Sequence, residues 1–246
     1  MKLTFLGTGA GNFRGSGRQM CGAFVEGLLL DCGAGTTGRL YDAGLFDRVD
    51  GVLISHLHTD HIAGLFDFLL HTMITDRKRP LTILSPPGLS PILRAMNDAG
   101  AMVKDAATLY DLRLIEALRP EAPIGTWRVQ SVPLSHTLYN VGYHLTTDGT
   151  TLFYTGDTRT PAVPDSLRAD VVIHEATYAD RYARLADEFG HSTPSQAART
   201  ATMLRARRLF LTHLGSRDGT DAEALREVRA GFPDSTVAED RGQYDL

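Results

Sequence analysis

The chain has 246 residues, a formal net charge of −4 at pH 7 and 43% hydrophobic residues. This size and apolar content are typical of a globular protein, and we expect residues 1–246 to form a single domain. The sequence has no apolar run of eighteen residues and begins directly with strand-like residues, which argues against a membrane span or a signal peptide. We therefore expect a cytoplasmic protein. The net negative charge argues against a surface dedicated to nucleic acid.

Two cysteines, Cys21 and Cys32, occur in the chain. Their number and spacing match neither a disulfide scaffold nor a Cys-x-x-Cys metal site. We predict that both are buried, reduced thiols.

Short apolar runs bounded by turn residues predict a series of strands. The predicted strands cover residues 3–6, 23–25, 28–30, 51–55, 81–84, 127–132, 141–145, 151–154, 171–173 and 209–211. The two-residue turn Asp148-Gly149 predicts that the strands on either side of it form a hairpin.

Helices are predicted between these strands from apolar spacing and capping signals. The first runs through Leu40, and a second covers residues 62–70. A third is predicted to begin at Ser90 as its N-cap. Two later helices open with capping boxes, which pair Thr193 with Gln196 and Thr220 with Glu223.

The densest chemical signal is the run His-Leu-His-Thr-Asp-His at residues 56–61, which follows a buried strand and precedes a helix. His56 and His58 are two positions apart, so in an extended stretch they point to the same side and can bind one ion. Asp60 and His61 follow the turn and can bind a second ion. A solvated loop would explain one histidine, but three with an aspartate favour a metal site, because zinc in hydrolytic sites prefers these ligands.

Several further predicted strands end in a residue that can bind a metal or transfer a proton. These residues are His136, Asp157, Glu175 and His213. A site assembled at strand ends is where layered α/β proteins usually bind ligands.

Together these motifs resemble the metallo-β-lactamase-fold hydrolases. The matching elements are His56-x-His58-x-Asp60-His61, His136 in Pro-Leu-x-His, Asp157 in Gly-Asp-Thr and His213 in Leu-Thr-His. The resemblance implies an α/β fold, a four-layer αβ/βα sandwich, with two Zn²⁺ ions at one edge and Mn²⁺ or Fe²⁺ as alternatives. It implies that one ion binds His56, His58 and His136, that the other binds Asp60, His61 and His213, and that Asp157 bridges both.

Two further motifs, His174-Glu175-Ala176-Thr177-Tyr178 and Gly190-His191-Ser192-Thr193, resemble the ribonuclease Z group of phosphodiesterases. This resemblance implies that Glu175 and His191 together deliver a proton to the leaving oxygen. Our mechanistic hypothesis is that Asp60, a ligand beside the metal-activated water, orients that water or accepts its proton. Taken singly, Glu175 would read as a salt-bridge partner of an arginine and His191 as a helix-entry residue.

One departure bears on the substrate. The tRNA-processing members carry a long arm between the equivalents of His136 and Asp157, whereas this chain has only the Asp148-Gly149 hairpin there. Residues 101–125 also lack the glycine-rich, basic character of such an arm. Small or cyclic phosphodiesters therefore join RNA 3′ ends as candidate substrates.

Two alternatives remain open from the sequence. The same fold could hydrolyse a lactone, thioester or sulfate ester, or the chain could be a non-catalytic metal-binding protein. A flavo-di-iron enzyme would need a flavin domain, for which the chain has no room.

The apolar residues 66–73 fit either the core or a homodimer contact. A phosphodiester substrate and no membrane are the other partner predictions.

Overall fold

The computed structural model describes residues 1–11, 17–100, 111–116, 121–161, 163–215 and 220–246. Within these residues the strands form two mixed sheets of seven. The first sheet begins with β1 (Lys2–Gly7), β2 (Gly22–Val25), β3 (Leu28–Leu30), β4 (Gly51–Leu53), β5 (Leu81–Ser85) and β6 (Leu112–Glu116).

The second sheet contains β7 (Ala122–Ile124), β8 (Trp127–Ser135), β9 (Tyr139–Thr147), β10 (Thr150–Tyr154), β11 (Val171–Glu175), β12 (Arg208–Thr212) and β13 (Ser235–Val237). The final strand, β14 (Gln243–Asp245), returns to the first sheet and pairs antiparallel with β1. The strand orders are β14-β1-β2-β3-β4-β5-β6 and β13-β12-β11-β10-β9-β8-β7.

Six α-helices lie among the described residues. They are α1 (Thr36–Asp42), α2 (Thr59–Ile74), α3 (Leu89–Asp98), α4 (Ala183–Glu188), α5 (Pro194–Met203) and α6 (Asp221–Gly231). Short 3-10 turns occur at Phe46–Arg48 and Asp180–Tyr182. None of the helices in the described ranges is both long and apolar enough to cross a bilayer.

The strands alternate between two cores because successive side chains point to opposite faces of a sheet. Leu28 and Leu30 of β3 belong to the core between the sheets, whereas Leu29 belongs to the core under α1, α2 and α3. On the second sheet, Ile173 faces inward and Val172 faces the helices α5 and α6. Both faces of each sheet are thus covered, and the four-layer αβ/βα sandwich expected from the sequence is confirmed.

Most local predictions agree with these elements. The Asp148-Gly149 turn joins β9 to β10, with Thr147 paired to Thr150. The capping box at the start of α5 is confirmed. At the start of α6 the Thr220 side chain accepts from the Glu223 N–H, but the Glu223 carboxylate pairs with Arg181, so Thr220 is an N-cap without the predicted box. Cys21 and Cys32 are buried free thiols.

The predicted start of α3 is wrong by two residues. The N-cap is Gly88 with a left-handed backbone (φ 118°), and Ser90 lies in the first turn. Its hydroxyl donates to the Glu116 carboxylate, which also accepts from the backbone N–H groups of Gly88 and Ser90 at 2.9 Å. A carboxylate from β6 therefore does the capping that the sequence assigned to Ser90.

The apolar segment 66–73 lies mainly in the core. Phe68, Leu69 and Met73 are buried, and Phe66 and Leu70 pack against the same cluster from partly buried positions. Core packing therefore accounts for this segment, and the homodimer stays a prediction. Residues 101–110 and 117–120, part of the segment considered for a tRNA-binding arm, lie outside the described residues.

Candidate metal centre

The side chains singled out in the sequence meet at one edge of the sandwich, where strands of both sheets end. His56 and His58 lie between β4 and α2, and Asp60 and His61 lie in the first turn of α2. From the second sheet, His136 follows β8, Asp157 follows β10, Glu175 ends β11 and His213 follows β12. His191 lies in the connection between α4 and α5.

Three histidines and one carboxylate form a first cluster. Nδ1 of His58 lies 2.9 Å from Nε2 of His56 and 3.2 Å from Nε2 of His136. Oδ2 of Asp157 lies 3.7 Å and 4.0 Å from the same two Nε2 atoms. Tetrahedral zinc with Zn–N bonds near 2.0–2.1 Å would place two ligand nitrogens about 3.3 Å apart, so these separations fit a shared cation.

A second cluster lies on the other side of Asp157. Nε2 of His61 and Nε2 of His213 are 3.2 Å apart, and each is 3.3 Å from Oδ2 of Asp157. Oδ2 of Asp60 lies 3.3 Å from His213 and 3.8 Å from His61 at the same ring nitrogens. Asp157 therefore faces both clusters.

Two further observations fit divalent cations. Oδ1 of Asp157 is buried and has no hydrogen-bond partner among the described residues, although buried carboxylate oxygens normally have one. Burial lowers the pKa of His56, His58 and His136, which keeps these rings neutral at pH 7. Neutral imidazole is the form that binds a metal. The donor set thus suits a pair of cations with nitrogen and oxygen ligands.

Electrostatics also keeps the two aspartates ionised. Burial alone would raise the pKa of Asp157, but His213, His61 and His56 lower it well below its ordinary value. Burial is also the largest single effect on Asp60 and would raise its pKa, but His213 and His61 together lower this pKa below its ordinary value. Both side chains are therefore ionised at neutral pH, the form in which a carboxylate binds a cation.

Asp31, to which the sequence reasoning gave no role, supports both clusters from behind. Its Oδ2 accepts from the Ser55 hydroxyl and lies at the same distance, 2.7 Å, from Nδ1 of His61. The Tyr154 hydroxyl donates to Oδ2 as well, at 2.5 Å. Ser55 in turn places its hydroxyl 3.0 Å from Nδ1 of His56. One buried carboxylate therefore orients a histidine of each cluster, as carboxylates commonly do around metal-bound histidines.

Cys21 also reaches this region, with Sγ 3.2 Å from Nδ1 of His61. That nitrogen is on the opposite side of the ring from Nε2, which faces Asp157. Burial raises the pKa of the Cys21 thiol to about 12. Without a cation Cys21 is therefore a neutral thiol, which is not the metal-binding form, although its Sγ and the ring nitrogens of His61 and His213 lie within 4.8 Å of one another.

Glu175 and His191 form an ion pair beside the clusters. Nδ1 of His191 lies 3.0 Å from Oε1 of Glu175 and 3.9 Å from Oδ2 of Asp157. Burial would lower the pKa of His191, but Glu175 outweighs it and raises this pKa to about 9. Nε2 of His191 has no hydrogen-bond partner in the described part of the chain, and the side chain is 15% exposed. The pair therefore presents a protonated imidazole next to the metal centre.

A His/Asp centre at the common edge of two sheets in an αβ/βα sandwich defines a metal-dependent hydrolase class, and residues 27–214 match the family described as "Beta-lactamase superfamily domain". Ribonuclease Z of Salinibacter ruber is 34% identical over 89% of this chain and 85% of that protein. Ribonuclease Z of Geobacillus kaustophilus is 28% identical over 100% of this chain and 99% of that protein. The chain belongs to the ribonuclease Z family of the β-lactamase superfamily.

Solved structures agree with this assignment. Human tRNase Z, short form (ELAC1), superposes with a TM-score of 0.80 at 28% identity and covers 100% of this chain and 99% of its own. YhfI from Bacillus subtilis, at 22% identity, shares the fold with a TM-score of 0.81. The alignment with the Geobacillus relative extends over 305 positions, more than the 246 residues here. That relative therefore carries inserted residues that this chain lacks.

Proposed function

We propose that this protein is a dizinc phosphodiesterase. We also propose that residues 1–246 form one domain. The observation that carries the proposal is the Glu175–His191 pair, placed 3.9 Å from the carboxylate shared by both histidine clusters. Hydrolysis of an ester with a poor leaving group needs an acid beside the metal centre, and this pair supplies one. The names of its relatives, ribonuclease Z and tRNase Z, support a phosphodiester substrate.

Seven residues are proposed as ligands. One Zn²⁺ would be held by His56, His58 and His136, and the other by Asp60, His61 and His213, with Asp157 shared between them. A bound pair of such ions supplies an activated water at neutral pH and offsets charge on the phosphoryl oxygens. Mn²⁺ and Fe²⁺ suit the same nitrogen and oxygen donors and remain alternatives.

Asp60 is proposed to orient the attacking water or accept its proton. Its side chain is 19% exposed, whereas that of Asp157 is 2% exposed, so water can reach Asp60. Because its pKa is depressed, Asp60 is ionised at neutral pH and can accept a hydrogen bond from that water.

His191 is proposed to donate a proton from Nε2 to the leaving oxygen, while Glu175 holds Nδ1. Glu175 is itself fixed, because Oε1 accepts from the Thr158 N–H at 2.9 Å and Oε2 from the Thr177 N–H at 3.1 Å. This arrangement keeps the imidazole protonated and aimed during the reaction.

We further propose that small or cyclic phosphodiesters are better substrates than precursor tRNA. The inserted residues of the longer relatives are absent here, and the interval between His136 and Asp157 is filled by β9, a two-residue turn and β10. Within residues 136–157, all of which the structure describes, no additional element is present to hold a folded RNA, so binding from this interval depends on the centre itself.

The test is a substrate panel with zinc-loaded protein. Bis-nitrophenyl phosphate, 2′,3′-cyclic nucleotides and precursor tRNA are assayed together, with a lactone, a thioester and a sulfate ester as comparators. Turnover of phosphodiesters well above the other esters is expected. Preferential turnover of any of the three comparators would contradict the phosphodiesterase assignment and favour that ester class.

A further inference from the structure

The Thr177 hydroxyl lies between the two working parts of the proposed site. Thr177 follows β11 by two residues and is half-buried. Its Oγ1 lies 2.7 Å from Oε2 of Glu175, 2.9 Å from Nδ1 of His213 and 3.2 Å from Nδ1 of His191. One hydroxyl therefore touches a proposed metal ligand and both members of the proton-donating pair.

The hydrogen-bonding capacity of a hydroxyl limits how these contacts can be used. Thr177 has one O–H donor and two acceptor lone pairs. The Glu175 carboxylate and the His213 backbone carbonyl oxygen, 3.1 Å from Oγ1, both accept only, and the O–H donates to Oε2, the shorter of these two contacts. Oγ1 is then left to accept, and its best donor is the N–H on Nδ1 of His213 at 2.9 Å.

This assignment fixes the tautomer of His213. A proton on Nδ1 leaves the lone pair on Nε2, the nitrogen that lies 3.3 Å from both Asp60 and Asp157. The partner of the distal nitrogen commonly sets which nitrogen of a metal-binding histidine faces the ion. Thr177 thus acts on the second cluster without touching the ion.

We propose that Thr177 is a positioning residue that sets the tautomer of His213 for metal binding and, through the same hydroxyl, holds Glu175 in register with His191. The inference rests on the proposed function and adds a physical link between cation loading and proton donation. Loss of the hydroxyl would affect its two partners unequally. Nδ1 of His213 would lose its contact with the Thr177 hydroxyl, whereas Glu175 would still accept from the N–H groups of Thr158 and Thr177.

The unequal losses predict unequal effects. Thr177→Val keeps the side-chain shape and removes the hydroxyl. His213 would lose its tautomer partner, so affinity for Zn²⁺ at the second cluster, and hence for one of the two equivalents, should fall by about ten- to hundredfold. At saturating Zn²⁺, turnover of a ribonucleotide ester should fall more than turnover of bis-nitrophenyl phosphate, because only the former needs the proton that Glu175 and His191 supply.

The experiment measures Zn²⁺ affinity by competition with a chromophoric chelator, which does not depend on activity. Thr177→Val and Thr177→Ala are compared with wild type, and Thr177→Ser, which keeps the hydroxyl, should restore affinity. Thr200→Val is the matched control, because the Thr200 hydroxyl lies 3.2 Å from Nε2 of His174, a buried histidine outside the centre. Thermal melts of all variants confirm that they are folded.

Weakened second-site affinity in the valine and alanine variants, with rescue by serine and no change in Thr200→Val, supports the proposal. Unchanged affinity without the hydroxyl would overturn it, as would failure of serine to restore it or an equal loss in Thr200→Val. These results are separate from the proposed function, which fails instead if the wild-type protein binds no zinc or cleaves no phosphodiester.

Discussion

Asp31 and His61 are joined by a buried contact of 2.7 Å on the side of the imidazole that faces away from Asp157. The same carboxylate reaches Ser55, and Asp31 adopts a left-handed backbone conformation (φ 54°) to do so. This conformation is uncommon for residues other than glycine, although aspartate tolerates it better than most. Residue 31 therefore has two requirements, a carboxylate for these contacts and tolerance of a left-handed backbone.

Replacing Asp31 should weaken metal binding. In Asp31→Asn the amide cannot accept as strongly from Nδ1 of His61, and we expect zinc affinity to fall by about ten- to hundredfold. Chelator competition measures this directly. Asp170→Asn is the control, because Asp170 accepts hydrogen bonds from Thr151 at the opposite end of β11. Equal losses of zinc affinity in the two variants would contradict a specific role of Asp31 in metal binding.

The shared carboxylate predicts the metal content. Wild-type protein should contain two zinc ions per chain by elemental analysis, and Asp157→Ala should retain no more than one, because both clusters lose a ligand. Asp67→Ala, at an exposed aspartate of α2, should keep the wild-type content. Absence of any transition metal from the wild type would end the metal hypothesis.

The pH dependence should differ between leaving groups. The pKa of His191 is raised to about 9 by Glu175, so the donor is protonated at neutral pH and is lost as pH rises through its pKa. Nearby cations disfavour a second positive charge, so the loss should occur at or below about pH 9. Turnover of a ribonucleotide ester should therefore fall on this alkaline limb.

The contrast is with bis-nitrophenyl phosphate, whose leaving group departs without a proton. Its turnover should not fall as pH rises through the pKa of His191. In His191→Ala its turnover should fall far less than turnover of the ribonucleotide ester. General acid catalysis is typically worth about 10²–10⁴-fold. If His191→Ala slowed both substrates equally, His191 would not be the proton donor.

Close packing under α2 predicts a cost in stability. A Cβ at Gly64 would lie 2.2 Å from the Gly33 carbonyl oxygen, so α2 is pressed directly against that backbone. Gly64→Ala should lower the free energy of unfolding by about 1–3 kcal/mol. Gly38→Ala, in α1 with no atom within 4 Å of the added methyl, should instead raise it by about 0.4–1 kcal/mol. Denaturant melts that show the same sign for both would contradict this.

The sequence was informative where the physics is local. Residues 56–61 bring four metal-binding side chains together by proximity alone, and the capping box at Thr193 and the N-cap at Thr220 need only neighbours three positions away. The buried strands read as continuous apolar runs because both faces of each sheet are covered. These signals, with the resemblance they carry, were enough for the fold.

Residues whose partners are distant along the chain could not be found this way. Asp31 meets a residue 123 positions away, Tyr154, and Thr177 meets His213 36 positions away. A lone aspartate or threonine after a strand has no periodicity that marks it. Short elements such as β13 and α4 were missed because so few residues give little pattern, and Ser90 was misassigned because its competitor, Glu116, lies 26 residues on.

The proposed ligands divide between the two halves of the sandwich: two come from the loop after β4 and two from the first turn of α2, and three follow strands of the opposite sheet. Each ion would consequently bind residues from both halves and hold them together, in addition to its role in the reaction. Stripping the cations should loosen the halves from one another at the rim while each retains its own helical layer. Chelation would then remove both the catalytic ions and the link between the two halves, and added zinc would restore both.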